Sequence, residues 1–209
     1  MRAALGYPLQ GEHGEKAVLS AWLCVFVHAI ALPVVALVPV LGYVATVLGA
    51  DGDDPPPFLD RALVTRSLGA TAITLGYGVV PLGTAALAFQ FLFGADQAPS
   101  ETEAIFVLAA STAVLIVLAG YAYVLPIALA NYVRGGSLRS ATTDLVDVAS
   151  HAAYFVGWAS GIVLVLLGVA VSSAFVDLGG VFAVGGSFVG AYAVIAASRR
   201  IGQGYAAAR

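Results

Sequence analysis

Charge is what this sequence has least of. Only 10% of its 209 residues are Asp, Glu, Lys or Arg, against roughly 25% in an average soluble domain. That deficit excludes a water-soluble globular fold for most of the chain. Lysine is nearly missing: Lys16 stands alone among nine basic residues, the rest being arginine, and the net charge is −3. A nucleic-acid binder would carry a basic face, so no nucleic-acid partner is expected. Arginine preferred to lysine, beside acidic loops, points to a GC-rich, salt-adapted source. Cysteine occurs once, as Cys24 inside an apolar run. No intramolecular disulfide can form, and a small buried hydrophobe is the reading for that residue.

Catalytic signatures are missing too. There is no Walker loop, His-Glu-x-x-His, Gly-x-Ser-x-Gly or Cys-x-x-Cys. No acidic or basic residue falls inside any predicted span, whereas ion-coupled pumps and proton relays usually keep such groups at the midplane. The expectation is therefore a protein that is not an enzyme and holds no cofactor.

What is present is apolar: 60% of the residues are hydrophobic, and the mean hydropathy is +0.95. These residues gather in runs that read as membrane spans at about 17–32, 33–49, 68–94, 104–133, 152–176 and 180–197. The fold class is an all-α polytopic transmembrane bundle, one domain over residues 1–209, with six spans or alternatively five. Residues 17–49 carry the ambiguity. As one straight helix they would be about 50 Å long, against a hydrocarbon core of roughly 30 Å. Pro33 and Pro39 interrupt them, so one kinked span competes with a tight hairpin turning near Leu32-Pro33. The apolar run starts late, after Lys16, and outlasts the roughly 7–15 residues of a signal-peptide core; it is expected to remain as an anchor.

Two polar connections carry amphipathic pattern. After Pro55-Pro56-Pro57, residues Phe58, Leu59, Ala62 and Leu63 share a face, predicting an interfacial helix over 56–66. Leu138, Ala141, Leu145, Val148 and Ala152 recur at helical spacing, predicting a second over 137–150. Basic residues fall at the N-terminus, in these two connections and in the C-terminal tail; loops 95–103 and 177–179 have none. If residues 17–49 span twice, all nine lie on one side; if once, the split is seven to two. The positive-inside rule prefers six spans in the plasma membrane with both termini cytoplasmic. A weak threefold repeat of helical hairpins fits: Ala21-Trp22, Gly76-Tyr77 and Gly157-Trp158 open the units, and Gly42-Tyr43, Asn131-Tyr132 and Gly204-Tyr205 close them.

Three stretches carry a resemblance: Pro39 to Tyr43, Pro56 to Asp60, and Leu125 to Ala141 with its Leu-Pro-Ile-Ala-Leu-Ala-Asn-Tyr followed by Gly-Ser-Leu. On these the chain resembles an archaeal and bacterial membrane family known as domain of unknown function 4013. It departs from that pattern at Ala45 and Thr46, where basic residues often stand. The resemblance implies a multispanning bundle and supplies no activity.

Several constellations need weighing. Gly157, Gly161, Gly168, Gly186 and Gly190 place small residues where helix backbones can approach closely in lipid. Packing within the bundle is the preferred reading; an oligomer interface is the alternative. Asp144, Asp147 and His151 are spaced as neighbours on one helix face, a conceivable site for a divalent metal, with a solvated polar face as the preferred reading. His28 lies within an apolar run, where an ionisable group is a functional candidate, though a hydrogen-bonded neutral imidazole explains it. Gln90 and Asn131, near span ends, read as interhelical or interfacial hydrogen-bonding groups. Pro33, Pro39, Pro81 and Pro126 read as helix kinks, and transporters use such breaks at binding sites. The expected function is a structural, lipid-contacting or complex-associated membrane component. Its partners would be lipids, and a protein partner or a second copy of the chain. The alternatives are a small-solute transporter built on the broken spans and an interfacial metal-dependent enzyme.

Overall fold

A computed structural model describes residues 2–30, 34–93 and 101–209. Among them there is helix and no strand. The helices are α1 (Arg2–Gly6), α2 (Gly14–Ile30), α3 (Leu37–Gly49), α4 (Leu63–Phe93), α5 (Glu101–Gly135), α6 (Leu145–Ser150), α7 (Ala152–Leu178) and α8 (Gly180–Ala207). Single 3₁₀ turns follow α1 and α5, at Tyr7–Leu9 and Leu138–Thr142.

Four helices, α4, α5, α7 and α8, are long and apolar enough to cross a membrane. At 1.5 Å per residue the shortest of them reaches about 40 Å. α2 and α3 have 17 and 13 residues, about 25 and 20 Å, which falls short of the hydrocarbon core. The turn expected near Leu32-Pro33 lies outside the described residues. Pro39 is in the first turn of α3, where the missing N–H has no helical acceptor; the kink expected there is not needed. Pro81 and Pro126 lie inside α4 and α5.

The polar connections at residues 50–62 and 136–151 meet at one end. There Arg134 pairs with Asp51 at 2.6 Å, Arg199 with Asp53 at 3.1 Å, and Arg209 with Asp144 at 3.5 Å. At the opposite end α7 turns straight into α8 through Gly179 and Gly180. Both have positive φ (71° and 56°), a conformation that costs glycine little. The two buried clusters belong to the charged half. One joins Ile127 to Ala130 of α5 with Ala45, Leu48, Ala70, Ile73, Ile201 and Tyr205; the other joins Tyr7, Val18, Tyr43, Val47, Phe58 and Ile195. Beyond them, α4 exposes Leu75, Val79 and Leu87, α5 exposes Ile105, Leu108 and Leu115, and α7 exposes Leu166 and Leu167. That apolar surface suits lipid.

Both expected interfacial helices differ from the structure. Residues 56–62 are irregular, and α4 begins only at Leu63. Phe58 leaves the surface to stack beside Tyr43, with ring centroids 5.0 Å apart, and the Tyr43 hydroxyl donates to the Pro56 carbonyl. Asp60 then accepts from the Ala62 amide through its side chain and from the Leu63 amide through its carbonyl, forming a turn that starts the helix late. Residues 137–150 are not one helix either. Thr143 is extended, Asp144 is left-handed (φ 50°), and His151 is extended again before α7. The carbonyls that a continuous helix would have used are taken elsewhere: Ala141 accepts from the Tyr77 hydroxyl and Thr143 from the Asn131 amide. A third correction concerns α8. It runs to Ala207, ten residues past the expected span end, because Arg199 is buried rather than solvated.

Candidate functional site

The polar groups that reach the interior are concentrated where the hairpins meet, and tyrosine dominates them. Eight of the nine tyrosines donate their hydroxyl to an oxygen on another element or an adjoining loop. Tyr132 of α5 donates to Thr65 O and Tyr121 to Thr74 O, pinning α5 on α4. Gly69 makes room for the first of these, since a Cβ there would overlap the Tyr132 hydroxyl. Tyr77 and Tyr123 hold segment 137–151 through Ala141 O and Ala149 O. Tyr192 reaches back to Leu5 O, fastening the N-terminal segment on α8. In an apolar surround each such bond counts because the alternative is an unpaired carbonyl.

At the centre of this end, Tyr205 donates to the Asn131 side chain, whose amide donates in turn to Thr143 O. Arg134 and Arg209 lie beside the Tyr205 ring, 5.8 and 5.6 Å from its centroid. Arg199 is the most buried cation among the described residues, its side chain 6% exposed. Its guanidinium sits 4.8 Å over the Tyr7 ring and donates to Ala50 O and Asp53. The Tyr7 hydroxyl is buried without a hydrogen-bond partner among the described residues. Burial pushes this phenol up to about 12; Arg199 opposes the shift, and Asp54 and Asp53 reinforce it.

Pro126 shows what the interior does with a broken helix. Its missing N–H frees the carbonyl four residues earlier, Ala122 O. The Trp158 indole of α7 donates to that very oxygen at 2.9 Å, and Tyr154 donates to the next carbonyl, Tyr123 O, at 2.6 Å. The break is closed by its neighbour.

The small-residue candidates line the seam between α7 and α8. A Cβ on Gly157 would fall 2.6 Å from Gly204 Cα, one on Gly161 would meet Ile201, one on Gly168 would meet Ala193, and one on Gly186 would meet Ser172 O. Gly190 is looser, with Ser172 Oγ at 3.3 Å. Gly190 and Ser172 also line an apolar cavity of about 190 Å³ with Val25, Val40, Val169 and Val194. Neither Pro81 nor Pro126 lines it.

The carboxylate–histidine face is not assembled. Asp144 pairs with Arg209, and the His151 ring bonds the Asp147 carbonyl at 2.6 Å. Among the described residues no group of three His, Cys, Asp or Glu side chains comes together to hold a metal. His28 is half-buried, and its Nδ1 has no hydrogen-bond partner among the described residues. Sequence reasoning missed Arg199 and Asp53, which are 146 residues apart. The nearest signal was the placement of arginine just beyond an apolar run.

A family described as "Protein of unknown function (DUF4013)" matches residues 25–176, from within α2 to the last turn of α7. The chain belongs to this family. No curated protein and no solved structure matches it. DUF4013 membership agrees with four membrane-length helices, and it names no activity. The match includes the Pro126 break with its Trp158 cap and the whole of segment 134–151.

Proposed function

We propose that this DUF4013 protein is a non-catalytic integral membrane component, structural, lipid-contacting or complex-associated. Its three helical hairpins would have both termini on the cytoplasmic side of the plasma membrane, α2 and α3 forming the short first hairpin. The observation that carries the reading is how the interior polar groups are spent. Tyrosine hydroxyls, Asn131 and Arg199 bond backbone carbonyls and each other across helices, which supports a structural use of these groups. The capped break at Pro126 argues against a solute site there, since transporters use freed backbone groups as ligands. Arginines cluster at the charged end, and the positive-inside rule supports a cytoplasmic placement for it.

Single cysteines in a Cys24→Ser background test the placement. With an impermeant maleimide on intact cells, Asp177→Cys should label, while Gly52→Cys and Ala206→Cys should label only after permeabilisation. The reverse pattern would overturn the topology. Solute flux through proteoliposomes of the purified chain would overturn the non-transport role.

A further inference from the structure

At the charged end four arginines are engaged with acids of the same chain: Arg66 with Asp60, Arg134 with Asp51, Arg199 with Asp53 and Arg209 with Asp144. Three other cations are exposed, and none of them is in an ion pair among the described residues: Lys16, Arg61 and Arg139. Each stands beside an exposed leucine. Arg61 follows Leu59, which is 87% exposed; Arg139 follows Leu138; Lys16 precedes Leu19 by one helical turn. These leucines are the lower rims of apolar stripes. Leu19 continues into Leu23 on α2, and Leu59 leads to Val64 and Leu68 on α4. A leucine so exposed at a charged end is poorly placed in water and well placed at the base of a bilayer. A cation next to it then reaches the phosphate level while its aliphatic stem lies along the apolar surface.

From this pairing we propose that Lys16–Leu19, Leu59–Arg61 and Leu138–Arg139 form an interfacial collar that binds anionic phospholipid headgroups in preference to zwitterionic ones. The cation takes the phosphate and the leucine takes the top of the acyl chain. The inference rests on the charged end lying in the cytoplasmic headgroup region, as proposed above. Charge complementarity selects the partner: among the described residues these are the exposed cations outside any ion pair, and the anionic leaflet is the surface beside them.

The test uses the full-length chain reconstituted in bilayers of phosphatidylglycerol and phosphatidylcholine with identical tails. Spin-labelled lipids report the relative association of each headgroup with the protein. Wild type should prefer phosphatidylglycerol, and the triple variant Lys16→Gln/Arg61→Gln/Arg139→Gln should lose the preference, by roughly fivefold per cation removed. Exchanging the charged residues (Lys16→Arg, Arg61→Lys, Arg139→Lys) should keep it. Equal association of the two lipids with wild type, or a preference surviving in the glutamine variant, would overturn the collar. If the triple variant does not fold, the three single variants carry the same test, each expected to lose part of the preference. Cysteine labelling reports the side of the membrane independently, so failure of the collar and failure of the topology remain distinct.

Discussion

Glycine is used differently at the two ends of the bundle. In the charged half a Cβ on Gly42 would lie 2.7 Å from Ser67 Cα, one on Gly202 would lie 2.8 Å from Leu48 O, and Gly157 and Gly204 face each other. Toward the far end Gly76, Gly83, Gly120 and Gly185 have nothing within 4 Å of the position a Cβ would take. The same residue type thus brings backbones together in one half and leaves lipid-facing helix surface in the other. Most of the polar bonds between described helices follow the same division, the Trp22 indole on Ser187 Oγ being an exception. Interhelical tyrosine and arginine contacts hold the charged half, while the far halves of α4 and α5 meet the surroundings with leucine, valine and isoleucine. The α7–α8 seam extends the close packing toward the far end through Gly168 and Gly186, and Trp22 of α2 packs on Ser187 and Phe188 of α8. In lipid, where apolar side chains gain little by leaving the solvent, close backbone approach and hydrogen bonds are the main sources of helix association. The charged half has both.

The sharpest way to break this comparison is a matched pair of substitutions. Gly204→Leu must displace backbone, since its Cβ would lie 2.8 Å from Gly157 Cα. Overpacking of this kind costs about 3 kcal/mol or more when helices must separate. For a chain of this size that lowers the melting temperature by on the order of 10 °C. Gly185→Leu should leave the melt within about 1 °C of wild type, because it adds a side chain to open space. Thermal melts in one detergent compare them; equal losses in the two variants would show that the halves are not packed differently.

A smaller effect isolates the cap on Pro126. Trp158→Phe removes the indole donor to Ala122 O and keeps an aromatic ring at the position. Interhelical hydrogen bonds in membranes average about 0.6 kcal/mol and reach about 1.7, and the upper part of that range is expected here because no helical N–H replaces the lost donor. Pro126→Ala restores that N–H. In this background Trp158→Phe should cost clearly less, and a double-mutant cycle reads the difference. Additive losses would mean that Trp158 contributes packing alone.

How much of this was legible in the sequence depends on the range of the interaction. The long spans follow from local composition: runs read at 68–94, 104–133 and 152–176 became helices at 63–93, 101–135 and 152–178. Local pattern failed where a distant partner intervened. The apolar stripe through Leu138 and Leu145 is real as a spacing, but hydroxyl and amide donors from α4 and α5 take the carbonyls that the helix needed. Phe58 counted toward an interfacial face until Tyr43 offered it a buried ring contact. Arg199 read as part of the C-terminal tail, because nothing nearby in sequence announces Asp53 or the Tyr7 ring as its neighbours. Aromatic and small residues in these positions were visible; which oxygen each tyrosine would find was not.

The finest test of the charged half concerns its one unsatisfied tyrosine. Tyr7 lends its ring to Arg199, yet its hydroxyl is buried without a partner among the described residues. Tyr7→Phe keeps the ring contact and removes an unpaired polar group, so at neutral pH it should be neutral or stabilising by about 1 kcal/mol. The pH dependence gives an independent reading. The phenol ionises near 10 when unfolded and near 12 when folded, because burial disfavours the charged form. Its contribution is therefore fully present below pH 10 and is lost as pH rises toward 12, by roughly 1.4 kcal/mol per pH unit. The Phe variant lacks that loss, so its margin over wild type should widen across this window, all other tyrosines being common to both. Unfolding measured from pH 8 to pH 12 checks the slope. A constant margin would mean that water reaches the Tyr7 hydroxyl, and that the charged end is less tightly closed than the contacts of Arg199 indicate.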